Sequence, residues 1–282
     1  ELLLGLLKQT YPVRNILIVN TNASLWDSRF EQIVPNLYVD HVEQRQFDHG
    51  GTRAAMADSS DADLLLFMTQ DAIPADEMLV EHLVMQFSLP QVKAAYARQL
   101  PKAGCSILEA YTRGFNYPPE SDIKDYGDLP KLGLKTFFCS NVCAMYDRKV
   151  YEELGGFVSH TIFNEDMIYA AGLIEAGYSI AYAADAQVYH SHNYGCIAQL
   201  KRNFDLGVSQ AQYPEIFEKY PSEGEGIRMV KQTAAYVCRI HRPWLLASLF
   251  FQSGFKYLGY LLGKHYQRLP RVVIRHCTMN KN

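Results

Sequence analysis

The sequence predicts an α/β fold, with a mainly parallel sheet covered by helices on both faces and a helical extension at its C-terminal end. Short apolar segments rich in β-branched residues alternate with segments whose apolar residues have helical spacing, as in consecutive βαβ units. From about residue 196 onward the patterns are helical throughout. We therefore expect an α/β domain at residues 1–195 and a helical, basic extension at residues 196–282.

The predicted elements follow in chain order. Strands are expected at residues 15–20, 39–43, 63–69 and 92–97, with helices at 2–9, 52–59 and 76–87. Residues 101–135 are rich in Pro, Gly, Asp and Tyr and predict a long functional loop. Further strands are expected at 136–146 and 178–183. Helices are expected at 148–154 and 165–176, and each is followed directly by Gly, which ends it.

Composition limits the class of protein. The chain has 282 residues, of which 48% are hydrophobic and 20% charged, so it can bury a sizeable core and is neither disordered nor fibrous. Its six cysteines lack zinc-type spacing, and a chain of this size does not need disulfides, so we expect reduced thiols in the cytosol. No signal-peptide pattern opens the sequence, which predicts a cytoplasmic protein or one whose first residues are missing.

Charge is distributed unevenly along the chain. Residues 227–282 contain ten of the 27 Lys and Arg residues and none of the 30 acidic residues. This basic segment predicts binding to phosphate, on nucleic acid or on an anionic lipid surface. Nucleic acid is not expected as a partner, because neither a recognition helix nor an aromatic single-strand platform is recognisable.

The apolar stretch at residues 243–263 lies within the basic segment. Gln252, Ser253, Gly254 and Lys256 interrupt it, which argues against a helix that spans the bilayer. Its aromatic and basic residues favour an amphipathic helix at the membrane surface. A helix packed on the α/β domain is an equal alternative, and both arrangements can hold at once.

Polar residues follow the predicted strands, where ligands of open α/β sheets bind. The NTNAS segment at residues 20–24 follows the first strand, and TQDA at residues 69–72 follows the third. Asp71 is either a turn residue, which spacing alone favours, or an oxygen ligand for a divalent metal that holds a diphosphate. His190 and His192 lie on one face of a strand, where a metal site is one interpretation and structural histidines the commoner one.

Two predicted helix starts also carry candidate groups. The HGGTR segment at residues 49–53 could offer backbone amides and the Arg53 guanidinium to an anion, although Gly-Gly turns are common. Asn164 is a suitable N-cap for a helix whose first turn contains Glu165 and Asp166. That structural explanation is sufficient, but one of the two carboxylates could instead serve as a general base.

Taken together and in this order, the segments resemble family 2 glycosyltransferases, in particular the bacterial rhamnosyltransferases that build rhamnose polymers. The resemblance covers nearly the whole chain. It rests on these motifs: LLKQTYP before ILIVN, FDHGGTR, LLLFMTQDAIP, the block from FCSN to HSHNY, and FKYLGYLLGKHYQRLP.

The resemblance implies a GT-A (Rossmann-like) fold and specific roles for individual residues. The acidic D-x-D motif of the family falls on residues 69–71, so only Asp71 keeps a carboxylate to hold Mg²⁺ or Mn²⁺, with His190 as a further ligand. Asp166 corresponds to the catalytic base, with Glu165 beside it. The residues that match the nucleotide-sugar site are Asn20, Asn22, His49, Gly50, Arg53, Gln70 and Asp71.

The resemblance also implies a reaction and a setting. The donor would be dTDP-L-rhamnose and the acceptor a glycan, in particular one on a polyprenyl diphosphate, at the inner face of the plasma membrane. A transferase for another nucleotide sugar and an inactive nucleotide-sugar-binding scaffold are the alternatives. Family members open with a strand that this sequence lacks, so we expect a first strand to precede residue 1; the sequence does not indicate an oligomeric state.

Overall fold

The structure is a computed structural model that describes residues 1–220 and 223–280. The strands are β1 Ile16–Asn20, β2 Leu37–His41, β3 Leu64–Met68, β4 Ile73–Pro74, β5 Val92–Leu100, β6 Asp122–Lys124, β7 Cys143–Asp147 and β8 Ser179–Tyr189. The helices are α1 Leu2–Leu6, α2 Arg29–Ile33, α3 His49–Asp58, α4 Leu79–Gln86, α5 Ile107–Asn116, α6 Leu129–Leu132, α7 Arg148–Glu153, α8 Glu165–Glu175, α9 Cys196–Gln212, α10 Pro214–Phe217, α11 Glu223–Arg239, α12 Leu245–Lys264 and α13 Arg271–Cys277.

The main sheet is mixed, whereas the sequence predicts a mainly parallel one. Its strand order is β3-β7-β5-β8-β4, with β6 also paired to β8, and β1 and β2 form a separate parallel pair. Within the main sheet only β5 and β8 are parallel; β7 runs antiparallel to both of its neighbours. The α/β class is thus confirmed, whereas the predicted strand direction is wrong for most of the main sheet. The sequence could not reveal the direction, because a strand buried on both faces has the same sequence pattern whether it runs parallel or antiparallel.

Helices cover both faces of the main sheet, as predicted, and enclose two apolar clusters. One contains the mutually packed rings of Tyr146, Tyr151, Phe157 and Tyr169, and the other packs α4 against the opposite face. The central strands carry many alanines on both faces, which lets the covering layers approach closely. All six cysteines have free thiols in the structure.

Residues 101–135 contain α5, α6 and β6, so the prediction of a long loop is wrong. Ser106 caps the N-terminus of α5, and its hydroxyl accepts a hydrogen bond from the Glu109 amide at 3.2 Å. The Pro and Gly residues at the ends of these short elements dominate the local composition and conceal the helical spacing within α5. This segment supplies Arg113 to the site described below.

Helix α12 packs directly on α9 through glycines. A Cβ atom added at Gly259 would lie 2.1 Å from the carbonyl oxygen of Leu200, and one at Gly263 would lie 2.0 Å from that of Phe204. Residues 243–263 therefore form a helix that packs on the rest of the protein, which was one of the two predicted alternatives. The side of α12 away from α9 exposes large apolar residues. No helix in residues 1–220 and 223–280 has the length and apolarity to cross a bilayer.

We expect Gly263→Ala to destabilise the protein, because the added methyl group would force α9 and α12 apart. Overpacking typically costs about 1–3 kcal/mol, and contact with rigid backbone places this site at the upper end of that range. Gly254→Ala is the matched control on the same helix, where nothing lies within 4 Å of the added atom. That control should stabilise α12 by up to about 1 kcal/mol. Equal shifts of the two variants in chemical denaturation would contradict close helix contact.

Candidate active site

Asp71, His190 and His192 converge at one edge of the main sheet. Asp71 lies two residues before β4, and the histidines directly follow β8; Ile73 pairs with Tyr189 and so brings the two segments together. The Asp71 carboxylate oxygen Oδ2 lies 3.5 Å from Nε2 of His190 and 3.2 Å from Nε2 of His192. One ligand atom from each residue falls within 4.8 Å of the others, which forms a candidate metal centre.

The electrostatic state of this cluster suits a cation. Burial lowers the pKa of His190 to about 4 and also lowers the pKa of His192, so both imidazoles are neutral at pH 7. Burial acts to raise the pKa of Asp71, but interactions with several neighbouring groups, of which His190 is the strongest, outweigh it and hold that pKa below its usual value. The cluster therefore offers one carboxylate oxygen and two imidazole nitrogens.

These donors fit a divalent metal. The Nε2 atoms of His190 and His192 are only 3.1 Å apart, and their lone pairs would repel each other without a proton or a cation between them. Imidazole and carboxylate are ligands of divalent first-row metals. The resemblance implied Asp71 and His190 as metal ligands, and the structure places His192, the second histidine of the predicted pair, beside them.

Asp166 lies in the first turn of α8. Its Oδ2 accepts a hydrogen bond from the backbone amide of Asn141 at 3.0 Å, and its Oδ1 accepts one from the amide of Met167 at 2.8 Å. Burial, followed by the nearby Glu165 carboxylate, raises the pKa of Asp166 to about 7. A carboxylate with a pKa near neutrality is well suited to accept a proton from a hydroxyl group.

The other acid of this turn has different partners. Glu165 is 5% exposed and forms an ion pair with Arg53 at 3.1 Å. Asn141 donates a side-chain hydrogen bond to the same carboxylate at 3.2 Å. Arg53 was predicted to bind the nucleotide, but in the structure it is paired with the buried acid Glu165.

The start of α8 differs from the predicted cap. Asn164 makes no side-chain capping hydrogen bond and has a left-handed backbone with φ of 66°. Its amide instead donates to the hydroxyl of Ser209 on α9 at 3.0 Å. The side chain therefore ties α8 to α9, a long-range contact that local sequence does not reveal.

Helix α3 begins at the predicted HGGTR segment. The Asp48 carboxylate caps it by accepting a hydrogen bond from the Gly50 amide at 3.2 Å, so an acid already occupies the position considered for an anion. A Cβ atom at Gly50 would lie 1.8 Å from the carbonyl oxygen of Val158, which explains the glycine by packing. The His49 ring stacks on Phe163, with ring centroids 6.1 Å apart.

The remaining predicted residues lie in short turns. Asn20 ends β1 and donates to the carbonyl oxygen of Asn22 at 2.7 Å, while the Asn22 side chain accepts from the amide of Ser24 at 3.0 Å. Gln70 is exposed beside Asp71. These contacts leave the proposed nucleotide-sugar roles of the three residues as predictions.

A cleft of about 1050 Å³ opens between the β1–β2 pair, α3 and α9. His49, Phe163 and Arg202 line it, together with Met279 and Asn280 from the C-terminal end. The Arg202 guanidinium lies 5.0 Å from the centre of the Phe163 ring, and none of the ion pairs among the described residues involves it. Arg202 is thus a cation that faces the cleft with no carboxylate bound to it.

Sequence reasoning missed three site residues: Gln99, Asn141 and Arg202. Gln99 and Asn141 are polar residues within or next to buried strands, and both are almost fully buried. A polar side chain in such a position must find hydrogen-bond partners, which is the signal that could have identified them. Arg202 carries no comparable signal, because arginines are common on amphipathic helices.

Comparison with solved structures identifies the class of fold. The chain superimposes with a TM-score of 0.62 on a mannosyltransferase from Pyrobaculum calidifontis in complex with GDP-Man and Mn²⁺, at 13% identity over 94% of this chain and 82% of that one. TarS 1–349 of S. aureus gives a TM-score of 0.51 at 12% identity, covering 95% and 86%. The fold is therefore that of the GT-A glycosyltransferases, as the motifs implied.

Sequence comparison then gives the family. Residues 1–155 match the model of Glycosyl transferase family 2, and the chain belongs to this family. It is 43% identical to the O-antigen chain rhamnosyltransferase RfbN of Salmonella typhimurium, over 88% of this chain and 79% of the relative. It is 39% identical to the O-antigen chain rhamnosyltransferase WbaN of Salmonella anatum, over 98% and 87%. These findings confirm the expected family and an enzyme that transfers a glycosyl group.

Proposed function

We propose that this protein is an inverting rhamnosyltransferase that transfers L-rhamnose from dTDP-L-rhamnose to a growing, lipid-linked O-antigen or related glycan. The observation that supports the reaction type is the presence, within one GT-A fold, of a cluster suited to bind a cation and of a carboxylate, Asp166, whose pKa is raised. The choice of sugar is supported by the two relatives, both of which are O-antigen rhamnosyltransferases.

The reaction is a single displacement at the anomeric carbon. Asp166 accepts the proton of the acceptor hydroxyl while that oxygen forms the new glycosidic bond. The bond between the anomeric carbon and the diphosphate oxygen breaks on the opposite side, so the configuration inverts and dTDP leaves with the bonding electrons. Arg202 faces the cleft as a positive charge for the departing diphosphate.

Asp71, His190 and His192 would hold the divalent cation, Mn²⁺ or Mg²⁺. When bound, the cation supplies Lewis-acid stabilisation of the negative charge on the diphosphate. Two imidazole nitrogens in the ligand set favour Mn²⁺, because Mg²⁺ prefers oxygen ligands.

Donor identity is tested by measuring nucleotide release with a lipid-linked glycan acceptor. The protein is given dTDP-L-rhamnose, or UDP- and GDP-linked sugars at the same concentration. We expect acceptor-dependent release of dTDP and little turnover of the other donors. Turnover with a different sugar nucleotide would overturn the rhamnosyl assignment and keep the transferase mechanism. Absence of turnover with every donor would instead favour an inactive nucleotide-sugar-binding scaffold.

We also propose that α12 binds the cytoplasmic surface of the plasma membrane, where a lipid-linked acceptor would be presented. The outward side of α12 exposes Phe250, Phe251 and Tyr257, with Phe250 73% exposed, and Trp244, which directly precedes the helix, is exposed as well. The surrounding segment from residue 227 contains ten basic residues and no acidic one. Exposed aromatic rings beside basic side chains suit binding to anionic headgroups.

Vesicle sedimentation tests this surface. We expect binding to vesicles rich in phosphatidylglycerol, weaker binding to phosphatidylcholine alone, and a decrease with salt. The double variant Phe250→Ser/Phe251→Ser should reduce binding several-fold, because it removes apolar area that would enter the interface. Leu25→Ser is the control, since Leu25 is 81% exposed but lies near β1. Equal binding by both variants would contradict the proposed surface.

A further inference from the structure

The metal-ligand candidate His190 belongs to a buried hydrogen-bond chain that the reaction described above does not use. Its Nδ1 lies 2.9 Å from Oε1 of Gln99, a residue of β5 that is 2% exposed. The same Oε1 accepts a hydrogen bond from the guanidinium of Arg113 on α5. Glu109, one turn earlier, holds Arg113 through an ion pair at 2.8 Å.

Arg113 fixes which way the Gln99 amide points. A guanidinium is a donor only, so the atom of Gln99 that faces it must be the carbonyl oxygen. The amide nitrogen is then directed to the hydroxyls of Tyr117 at 2.6 Å and Ser140 at 3.2 Å, which can accept. The reversed amide would place its NH₂ group against the donor of Arg113.

The fixed amide also selects the tautomer of His190. Since Oε1 of Gln99 can only accept, Nδ1 of His190 carries the proton and donates it. Neutral imidazole has one proton, so Nε2 keeps its lone pair. That nitrogen is the atom directed at Asp71 and His192.

We propose that Arg113 and Gln99 are positioning residues that lock His190 in the Nδ1–H tautomer and so present its Nε2 lone pair to the metal. This inference rests on the metal site of the proposed function. Partners of this kind orient metal-binding histidines, and their loss typically costs about 10–100-fold in metal affinity. Arg113 does not contact His190 in this chain of hydrogen bonds; it acts on His190 by fixing the orientation of the Gln99 side-chain amide.

Loss of Arg113 has a specific consequence. Without the guanidinium, the Gln99 amide can rotate and donate its NH₂ group to Nδ1 of His190. The imidazole proton then moves to Nε2, where it blocks the ligand position. A glutamate at position 99 has two equivalent acceptor oxygens and cannot present a donor when ionised, so it would keep the tautomer whether or not Arg113 is present.

The test is a Mn²⁺ titration of the full chain, followed by electron paramagnetic resonance of the free ion. We expect Gln99→Leu to weaken Mn²⁺ binding by about 10–100-fold, and Gln99→Glu to leave it intact or tighten it. Arg113→Met should weaken binding in the native background but not in the Gln99→Glu background. Lys102→Met is the matched control, because Lys102 is another cation that acts electrostatically on Asp71 and His190.

The direction of the shift separates the tautomer from simple electrostatics. Removing a positive charge near a cation site should tighten Mn²⁺ binding, which is the result expected for Lys102→Met in both backgrounds. If Arg113→Met also tightens binding in both, the positioning role is overturned while the metal site remains. If the native protein binds no Mn²⁺, the metal part of the proposed function fails and the positioning role fails with it.

A second readout does not depend on metal. In ¹⁵N-histidine NMR spectra of metal-free protein, His190 is assigned by comparison with a His190→Gln variant. We expect the Nδ1–H tautomer in the native protein and a shift toward Nε2–H in Arg113→Met. An unchanged tautomer in Arg113→Met would overturn the proposal, even if that variant had lost Mn²⁺ affinity through altered folding.

Discussion

Asp166→Asn is expected to lower kcat for glycosyl transfer by about 10²–10⁴-fold, the usual contribution of a general base. An amide cannot take the proton of the acceptor hydroxyl, and its single oxygen can keep only one of the two backbone hydrogen bonds, from Asn141 or from Met167. Donor binding should change little. The measurement compares the rate of dTDP release with the dissociation constant of the donor, determined by calorimetry.

The pH dependence provides a second check on Asp166. Its pKa is raised to about 7, and the base must be deprotonated to act. Activity should therefore rise with pH through a midpoint near 7, and this limb should disappear from the residual activity of Asp166→Asn. A native profile that is flat between pH 5.5 and 8.5 would argue against this carboxylate as the base.

Glu165→Gln is the matched control in the next position. Glu165 is buried and its partner Arg53 is 18% exposed, so neutralising Glu165 leaves a largely buried cation without its ion pair. Breaking such a pair costs about 3–5 kcal/mol when the remaining charge is not compensated. We expect lower stability but near-native kcat for the folded fraction, and a loss of kcat equal to that of Asp166→Asn would assign a catalytic role to both acids.

Asp71→Asn is expected to weaken Mn²⁺ binding by more than 100-fold and to abolish most activity. Asp71 is the only carboxylate in the ligand cluster, so its replacement removes the negative charge that compensates the cation. Substitutions at residues that only support metal ligands cost about 10–100-fold, and direct ligands should cost more. The measurement is Mn²⁺ affinity, together with activity after chelation by EDTA and readdition of metal.

The native protein should lose activity with EDTA and regain it with Mn²⁺, whereas Asp71→Asn should stay inactive at micromolar metal. Asp61→Asn is the control, since Asp61 forms an exposed ion pair with Arg14 and does not belong to the ligand cluster. Full activity of the native protein in EDTA would show that the cluster serves transfer without a metal.

Part of the candidate site follows from the sequence. The family resemblance implied that Asp71 and His190 share a metal, and the structure places the two side chains together. Asp166 was placed in the first turn of a helix by apolar spacing and end signals, and it lies there. The helix position needs only neighbouring residues, whereas the functional roles of these residues stay predictions.

The features that the sequence did not reveal depend on distant partners. The direction of β7 is set by a connection of more than forty residues, and no pattern within the strand encodes it. Arg53 is directed to Glu165 across more than a hundred residues of sequence. The orientation of the Gln99 amide depends on a hydrogen bond from Arg113, which lies on α5. The side chain of Asn164 donates a hydrogen bond to Ser209 on α9 and does not cap its own helix.

The close contact between α9 and α12 also limits how the chain can be divided. One side of α9 supplies Arg202 and Asp205 to the cleft, and Gly207 on the same helix lies against the backbone of α12. A fragment that ends at residue 195 would keep Asp71, Asp166 and the two histidines but would lack one wall of the cleft. Screening for a minimal catalytic fragment should therefore retain α9 and α12 as one unit, although composition alone suggests a natural cut before them.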